Sequence, residues 1–283
     1  MSTSIGIAYA DYVPRLIAQY RGAVDHVEIP FEQLLRAPQA LDLQRSVPVI
    51  LHCASLSLAG DVPIPAPRAE ALRRWVGESG TPWVGEHLAY LRADGTHLHL
   101  AGHTGVPFGD DLDIGYTVSP QFSEAVLERV ACQTAYWEEF LGVPLLLENG
   151  PSYFSMPGST MSQSSFIAAL CARRPATRLL LDLAHLSVTC ANMQLDPHAE
   201  LAKLPLESVV EIHVSGISDE AGLCWDDHAK RVPQSVFDLL DHALLRATPR
   251  AITLEYNWDS SMPFGAIAAD LARIRTACMA VAA

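Results

Sequence analysis

Basic residues are scarce in this chain, and their scarcity excludes one class of partner. The 283 residues include 19 Lys and Arg against 32 Asp and Glu, which gives a formal net charge of −13 at pH 7 with histidine neutral. A surface of that charge repels phosphate backbones. The basic pairs Arg173–Arg174 and Lys230–Arg231 are isolated and form no patch. We therefore expect no nucleic-acid partner.

Long apolar runs are missing as well. No stretch approaches the roughly 18 consecutive apolar residues of a membrane-spanning helix. The start of the chain lacks the basic region and the extended apolar segment of a signal peptide. The six cysteines form no CxxC pair, so we expect reduced, mostly buried thiols. These features predict a cytoplasmic protein with no membrane partner.

Short apolar and β-branched runs alternate with longer stretches of helical period, which is typical of repeated βα units. Strands are predicted at about 4–9, 25–30, 47–52, 82–87, 143–148, 177–182, 209–214 and 251–256. Helices are predicted at about 11–20, 31–44, 66–79, 120–141, 162–173, 197–203, 233–246 and 263–280. No Gly-rich nucleotide-binding fingerprint occurs, and no linker divides the chain. The pattern predicts the α/β class and one (β/α)8 TIM-barrel domain over residues 1–283.

One segment interrupts this alternation. From about Arg92 to Val118 the chain is too long and too rich in glycine for an ordinary connection, which predicts a lid-like loop after strand 4. Its His97, His99 and His103 could extend a metal cluster. Because His97 and His99 alternate as in a strand, a hairpin with surface histidines is the stronger interpretation for those two.

Histidines and carboxylates recur where the predicted strands end. The C-terminal ends of barrel strands meet on one face, where barrel enzymes carry their chemistry. A carboxylate directly after an apolar run, such as Glu148 or Glu255, faces a desolvation cost that a cation offsets. The candidate metal ligands are His52, His87, Glu148, Asp182, His185, His213, Asp226, His228 and Glu255. Nine donors suit two or three ions better than one.

Local spacing adds detail to some of these candidates. Asp182 and His185 are expected at a strand end and in the loop after it. Glu211, two residues before His213, could support that ring with a hydrogen bond. Three further histidines are expected to be surface or core residues outside the site: His26, His198 and His242.

Seven segments together resemble the multinuclear non-haem iron oxidases typified by the methanobactin biosynthesis oxygenase. They are Leu51–Leu58, Glu86–Tyr90, Leu147–Tyr153, Leu181–His185, Glu211–Gly216, Asp226–His228 and Thr253–Glu255. The resemblance spans nearly the whole chain, from the third strand to the eighth. It is specific as a set with order and spacing kept, whereas any one segment alone is a weak signal.

The resemblance implies a TIM barrel that holds two or three iron ions, with a mixed-valent Fe2+/Fe3+ pair that reacts with O2. It implies oxidation of cysteine residues in a ribosomally made precursor peptide, often beside a small partner protein that recognises the leader. It adds Asn149 to the nine candidate ligands. Among all ten, His52, Asp182 and His213 are the residues expected to be essential for catalysis.

The chain also departs from the family pattern. Many relatives carry an Asn-Asn pair where this chain has Ala184 and His185, and the family glycine after Asp-x-His is Ala229. The first departure implies a third ion. Two other functions stay open on the residues alone. A xylose-isomerase-like sugar isomerase, epimerase or hydrolase would use similar ligands for zinc, manganese or magnesium, and a metal-binding scaffold subunit would leave the chemistry to a partner.

Overall fold

Eight parallel strands close into a barrel in the computed structural model, which describes residues 2–94, 111–257 and 262–282. In chain order the strands are β1 (Ser4–Ala8), β2 (His26–Pro30), β3 (Val49–Cys53), β4 (Val84–His87), β5 (Tyr90–Asp94), β6 (Asp111–Val118), β7 (Leu145–Glu148), β8 (Arg178–Asp182), β9 (Val209–Ser215), β10 (Ser218–Glu220), β11 (Leu223–Trp225) and β12 (Ala251–Glu255). The barrel runs β1-β2-β3-β4-β7-β8-β9-β12, and β12 pairs with β1 to close it. The predicted TIM barrel is confirmed.

Helices connect the barrel strands. They are α1 (Val13–Gln19), α2 (Phe31–Arg36), α3 (Ala66–Ser79), α4 (Glu124–Leu141), α5 (Gln163–Arg173), α6 (Leu183–Met193), α7 (Pro197–Lys203), α8 (Gln234–Leu244) and α9 (Phe264–Ala282), with 3-10 helices at Pro38–Arg45 and Leu206–Ser208. Among these described helices, none is both long enough and apolar enough to cross a membrane.

The helix predictions were wrong in three places. The predicted helix 31–44 is α2 followed by a 3-10 helix, because Pro38 cannot continue the hydrogen bonding of an α-helix. Helix α4 begins at Glu124 and not at Pro120, since the Ser119 hydroxyl is bonded to the hydroxyl of Ser152 and caps nothing. Helix α6 was not predicted at all.

Alternation along the strands places a polar layer above an apolar floor inside the barrel. The floor consists of Ile50, Trp83, Leu146, Leu180 and Ala251. Successive side chains of a strand face opposite ways, so the residue two positions further on shares the same face. Two residues beyond the floor residues of β3, β7 and β8 stand His52, Glu148 and Asp182. The alternation along the strands therefore places these three side chains at the same end of the barrel.

Two hairpins extend the C-terminal face. Strands β5 and β6 pair in antiparallel fashion after β4, where the lid-like loop was predicted. His97, His99 and His103 lie outside the described residues. Strands β10 and β11 form a short hairpin whose turn residues, Ala221 and Gly222, have φ of 52° and 81°. Positive φ at both turn positions matches the twist of a two-residue hairpin loop.

Candidate metal centre

All nine predicted histidine and carboxylate ligands lie at one end of the barrel. His52 and His213 lie within strands β3 and β9, and four others end their strands: His87, Glu148, Asp182 and Glu255. His185 belongs to α6, and Asp226 and His228 follow β11. Among the described residues, five overlapping groups each have three ligand atoms within 4.8 Å of one another, and the nine candidates divide into three of these groups that share no residue. These three groups are His52, His87 and Glu148; His185, Asp226 and His228; and Asp182, His213 and Glu255.

Glu148 is the central carboxylate. Its Oε2 lies 2.7 Å from Nε2 of His52 and 3.3 Å from Nε2 of His87. Its Oε1 lies 3.3 Å from Nδ1 of His185 and 3.7 Å from Nδ1 of His213. One carboxylate thus contacts an imidazole from each of the three groups, so the groups form one continuous centre.

Asp182 both ends β8 and begins α6. Its Oδ1 accepts a hydrogen bond of 2.6 Å from the backbone N–H of His185, as the side chain of a helix N-cap does. The prediction that His185 lies in a loop was wrong, because this cap starts a helix immediately after the strand. The first helical turn then directs the His185 ring at the centre, where Nε2 lies 2.9 Å from Oδ2 of Asp226.

The Asn149 amide fixes the end of β8. Its Nδ2 donates to the carbonyl of Asp182 at 2.8 Å, and its Oδ1 accepts from the N–H of Asp182 at 2.9 Å. The backbone carbonyl of Asn149 also lies 2.8 Å from Nδ1 of His185. These bonds give Asn149 a positioning role, and its role as a ligand stays a prediction.

The backbone of His228 is in the left-handed region, with φ of 53°. That conformation is uncommon for a residue other than glycine and persists where the surroundings enforce it. Its Nε2 lies 2.7 Å from Oδ1 of Asp226 and its Nδ1 lies 3.7 Å from Oε2 of Glu255. The carbonyl of His228 accepts a 2.9 Å bond from the N–H of Asn257. The unfavourable backbone thus brings this ring to the carboxylates.

Several buried atoms of the centre have no hydrogen-bond partner among the described residues. They include Nδ1 of His87, Oδ2 of Asp182 and Nδ1 of His213. A buried polar atom without a partner is costly, and a coordinated cation removes that cost. Nitrogen and carboxylate donors at this spacing therefore fit metal ions.

Burial and pairing decide the protonation of the centre. Burial opposes charge on His52, but Glu148 outweighs it and raises the pKa of His52 to about 10. Burial lowers the pKa of His87 to about 4, which leaves a neutral imidazole. Burial, reinforced by Glu255 and Glu148, raises the pKa of Asp182 to about 7. Metal binding would release the imidazole protons that now balance the carboxylates.

Two further carboxylates, Glu28 and Glu211, lie beneath the centre and were not predicted as ligands, although they form another group of three with His213. Glu28 on β2 is 1% exposed, and its Oε2 lies 3.1 Å from Nε2 of His213. Glu211 was expected to support His213, but the closest atoms are 3.9 Å apart. Instead, Glu211 accepts 2.7 Å bonds from Trp83 and Thr253. Glu28 could have been found by the desolvation argument used for Glu148, since it also interrupts an apolar strand.

Glu86 is another fully buried carboxylate near the site. It precedes His87 in β4 and pairs in register with Cys53, so it faces away from His87. Its Oε2 accepts from the N–H of Leu56 at 3.2 Å, and burial raises its pKa well above the ordinary value. It stays outside the three groups.

Two glycines allow close contacts that shape the site. A Cβ on Gly85 would lie 2.7 Å from Cδ2 of His52, so only glycine at this position of β4 leaves space for that ring. A Cβ on Gly216 would lie 1.9 Å from the carbonyl oxygen of Lys230, which follows the Asp226–His228 segment. Close backbone contact at Gly216 holds that segment against the end of β9.

The histidines that were predicted to lie outside the site do so. His26 is buried, and its ring is bonded to the hydroxyls of Ser4 at 2.8 Å and Thr253 at 2.9 Å. His198 and His242 are exposed and pack against each other with ring centroids 4.5 Å apart. The six cysteines are free thiols, four of them buried.

Comparison with known proteins identifies the family. The family model described as "RiPP precursor modification enzyme MbnB/TglH/ChrH" matches residues 4–279, where RiPP denotes a ribosomally made and later modified peptide. A UPF0276 protein of Caulobacter vibrioides is 31% identical over 264 residues, which cover 91% of this chain and 88% of that protein. A UPF0276 protein of Streptomyces avermitilis is 32% identical over 231 residues, covering 82% of this chain but only 45% of the longer relative.

Solved structures share the barrel at low sequence identity. Endonuclease IV from Thermus thermophilus superposes with a TM-score of 0.57 at 14% identity, over 98% of this chain and 99% of that one. D-psicose 3-epimerase from Clostridium cellulolyticum gives 0.53 at 13% identity, over 99% and 97%. These likenesses show the fold alone. The match over nearly the whole chain shows that this protein belongs to the RiPP precursor modification enzyme family of MbnB, TglH and ChrH.

Proposed function

We propose that this chain is a multinuclear non-haem iron oxidase that uses O2 to modify cysteine residues of a ribosomally made precursor peptide. One observation carries the proposal: nine ligand-type side chains from six strands, one helix and one loop form three contiguous groups of three. A single mononuclear site needs no more than about six ligands. Three groups linked through Glu148 support two or three ions.

The composition of the groups supports iron. Each group combines imidazole and carboxylate donors, and none contains a thiolate. Such donors suit iron in proteins that activate O2. Three protein ligands per ion leave open positions, since an ion takes about four to six ligands. Iron held by these residues would have open positions for a substrate thiolate and for O2.

The protein's own contribution is to hold the donors in place. Asn149 fixes the end of β8, Glu28 orients His213, and the left-handed backbone of His228 brings its ring to the carboxylates. Iron bound by these donors would supply Lewis acidity, which lowers the pKa of a substrate thiol, and a redox couple for O2. Cysteine is the side chain whose thiolate binds such an ion directly.

The alternatives rest on weaker support. Sugar epimerases share the barrel, but that likeness extends to the fold alone. The family match is to enzymes that modify precursor peptides, which favours a peptide substrate over a sugar. A metal-binding scaffold subunit would have the same donors, but the family that matches is described as one of modification enzymes. We therefore prefer the peptide oxidase.

Oxygen uptake tests the proposal. The protein is purified without O2, its metals are quantified, and O2 consumption is followed with a synthetic peptide containing one cysteine or, as the control, serine. We expect bound iron and uptake that depends on the cysteine. Glu255→Gln should lower uptake at least about tenfold because it replaces a charged carboxylate donor by a neutral amide, whereas Glu139→Gln on an exposed helix surface should not. Zinc, manganese or magnesium without O2 uptake would contradict the proposal.

A further inference from the structure

An acidic cleft with aromatic walls opens beside the metal centre. It has a volume of about 870 Å³ and is lined by Tyr153, Phe154, Glu220, Leu223, Trp225, Asp226 and Asp227. Phe154 is 63% exposed, and Leu223 and Trp225 are each 40% exposed. Large apolar side chains that gather at solvent mark binding surfaces. This cleft is therefore a candidate binding site.

The cleft is held in shape by its hairpin. The strands β10 and β11 are joined by the tight turn at Ala221 and Gly222. The opposite edge of β11 is fastened to α6, where Asn192 donates to the carbonyl of Cys224 at 2.8 Å and accepts from its N–H at 2.9 Å. A wall fixed on both sides forms a pocket before any ligand arrives, as binding pockets usually do.

The cleft reaches the metal centre directly. The ring centroids of Tyr153 and Trp225 are 5.1 Å apart, and the Tyr153 hydroxyl accepts a 3.4 Å bond from the N–H of Asp226. The carboxylate of Asp226 is bonded to His185 and His228. The same residue thus forms part of the cleft wall and part of the centre, so an occupant of the cleft lies next to the reacting group.

The charge of the lining selects the occupant. Among the described residues, the ionisable groups of the lining are the carboxylates of Glu220, Asp226 and Asp227 and the phenol of Tyr153. Asp226 is already paired with His185 and His228, so Glu220 and Asp227 are the carboxylates that an occupant meets. Carboxylates among exposed aromatic rings attract a cationic side chain that carries or adjoins apolar surface. The same carboxylates repel an acidic peptide.

We infer that this cleft binds the segment of the precursor peptide next to the modified residue, and that this segment carries an aromatic or aliphatic side chain beside a lysine or arginine. The inference rests on the proposed function for the position of the modified cysteine at the centre. An extended chain spans at most about 3.3–3.6 Å per residue. The recognised side chains therefore lie within a few residues of the modified one.

Peptide binding tests the inference independently of the chemistry. The probes are fluorescein-labelled Gly-Ser dodecapeptides that carry Phe-Lys or Phe-Glu, with serine in place of any cysteine so that no thiolate contributes. Fluorescence anisotropy on the full chain as purified without O2 should show tighter binding of the Phe-Lys peptide. Phe154→Ala and Leu223→Ser should each weaken it by up to about tenfold, as loss of an apolar anchor does. Tyr136→Ala, an exposed ring elsewhere, should leave it unchanged.

Charge reversal provides the second arm. Glu220→Lys should reduce the preference for the Phe-Lys peptide over the Phe-Glu peptide about threefold or more, while Glu139→Lys, with the same net charge, should not. Equal affinity of wild type for both peptides, or equal effects of the two charge reversals, would overturn the inference. Iron content and O2 uptake are measured on the same preparations. Iron-free protein that still prefers the Phe-Lys peptide would contradict only the proposed function. Active protein that binds both peptides equally would contradict only the proposed role of the cleft.

Discussion

Replacement of Glu28 by methionine should weaken metal binding although Glu28 belongs to none of the three proposed ligand groups. The carboxylate lies 3.1 Å from Nε2 of His213. It would keep a proton on Nε2 when an ion binds Nδ1, which lies 3.5 Å from Oε2 of Glu255. Loss of such a partner lowers metal affinity by roughly 10- to 100-fold, which corresponds to about 1.4–2.7 kcal/mol. A hydrogen bond to a charged group contributes about 1.5–3 kcal/mol, which agrees with that range.

Competition with a chromophoric chelator under nitrogen measures this effect, with Fe2+ and Co2+ as the titrants. Glu28→Gln keeps an oxygen acceptor at the same place and should fall between wild type and Glu28→Met. The control is Glu200→Gln, since Glu200 is 5% exposed but pairs with Lys203. Wild-type metal affinity in Glu28→Met, or the same loss in the control, would show that Glu28 does not support His213 as a ligand.

Three further predictions concern the frame of the site. Gly216→Ala should lower the metal content, because its Cβ would lie 1.9 Å from the Lys230 carbonyl and displace the loop ligands; elemental analysis checks this. Gly85→Ala should destabilise the fold by about 1–3 kcal/mol through overpacking. Gly77→Ala, with open space around it, should stabilise the fold by about 0.5–1 kcal/mol. Urea unfolding of both variants measures these changes. Burial lowers the pKa of His26 from 6.5 to about 4. The unfolded chain therefore binds a proton more readily than the folded chain, so the free energy of unfolding should decrease by up to about 3 kcal/mol as the pH falls from 6.5 to about 4. The decrease should be smaller in His26→Gln.

The barrel and the clustering of the candidate ligands were predictable because both follow from short local sequence patterns. Every barrel strand is a short apolar run. Once the parallel strands close into a barrel, a polar group near the C-terminal end of a strand lies on the C-terminal face. Glu148 and Glu255 show this most simply, since each directly ends its run. The parallel register then brings His213 opposite both Asp182 and Thr253 without any special signal.

What was missed depends on contacts between distant parts of the chain. Helix α6 was overlooked because most of its residues, polar ones included, are buried and the segment shows no clear amphipathic period. The Asp182 side chain, which caps the helix N-terminus, was its one local signal. Glu28 is 185 residues from His213 in sequence, and its role arises only when β2 and β9 face each other across the barrel. Glu211 is only two residues from His213 in sequence, but its carboxylate accepts a hydrogen bond from Trp83 instead.

The number and oxidation state of the ions that the protein binds decide whether it holds a multinuclear iron centre. Elemental analysis and Mössbauer spectroscopy on 57Fe-loaded protein, purified without O2, should give two or three irons per chain with both ferrous and ferric signals. The variant Asp182→Ala should lose at least one of them. A single ion per chain in the wild type, or full iron occupancy in Asp182→Ala, would rule out a multinuclear centre built on these residues.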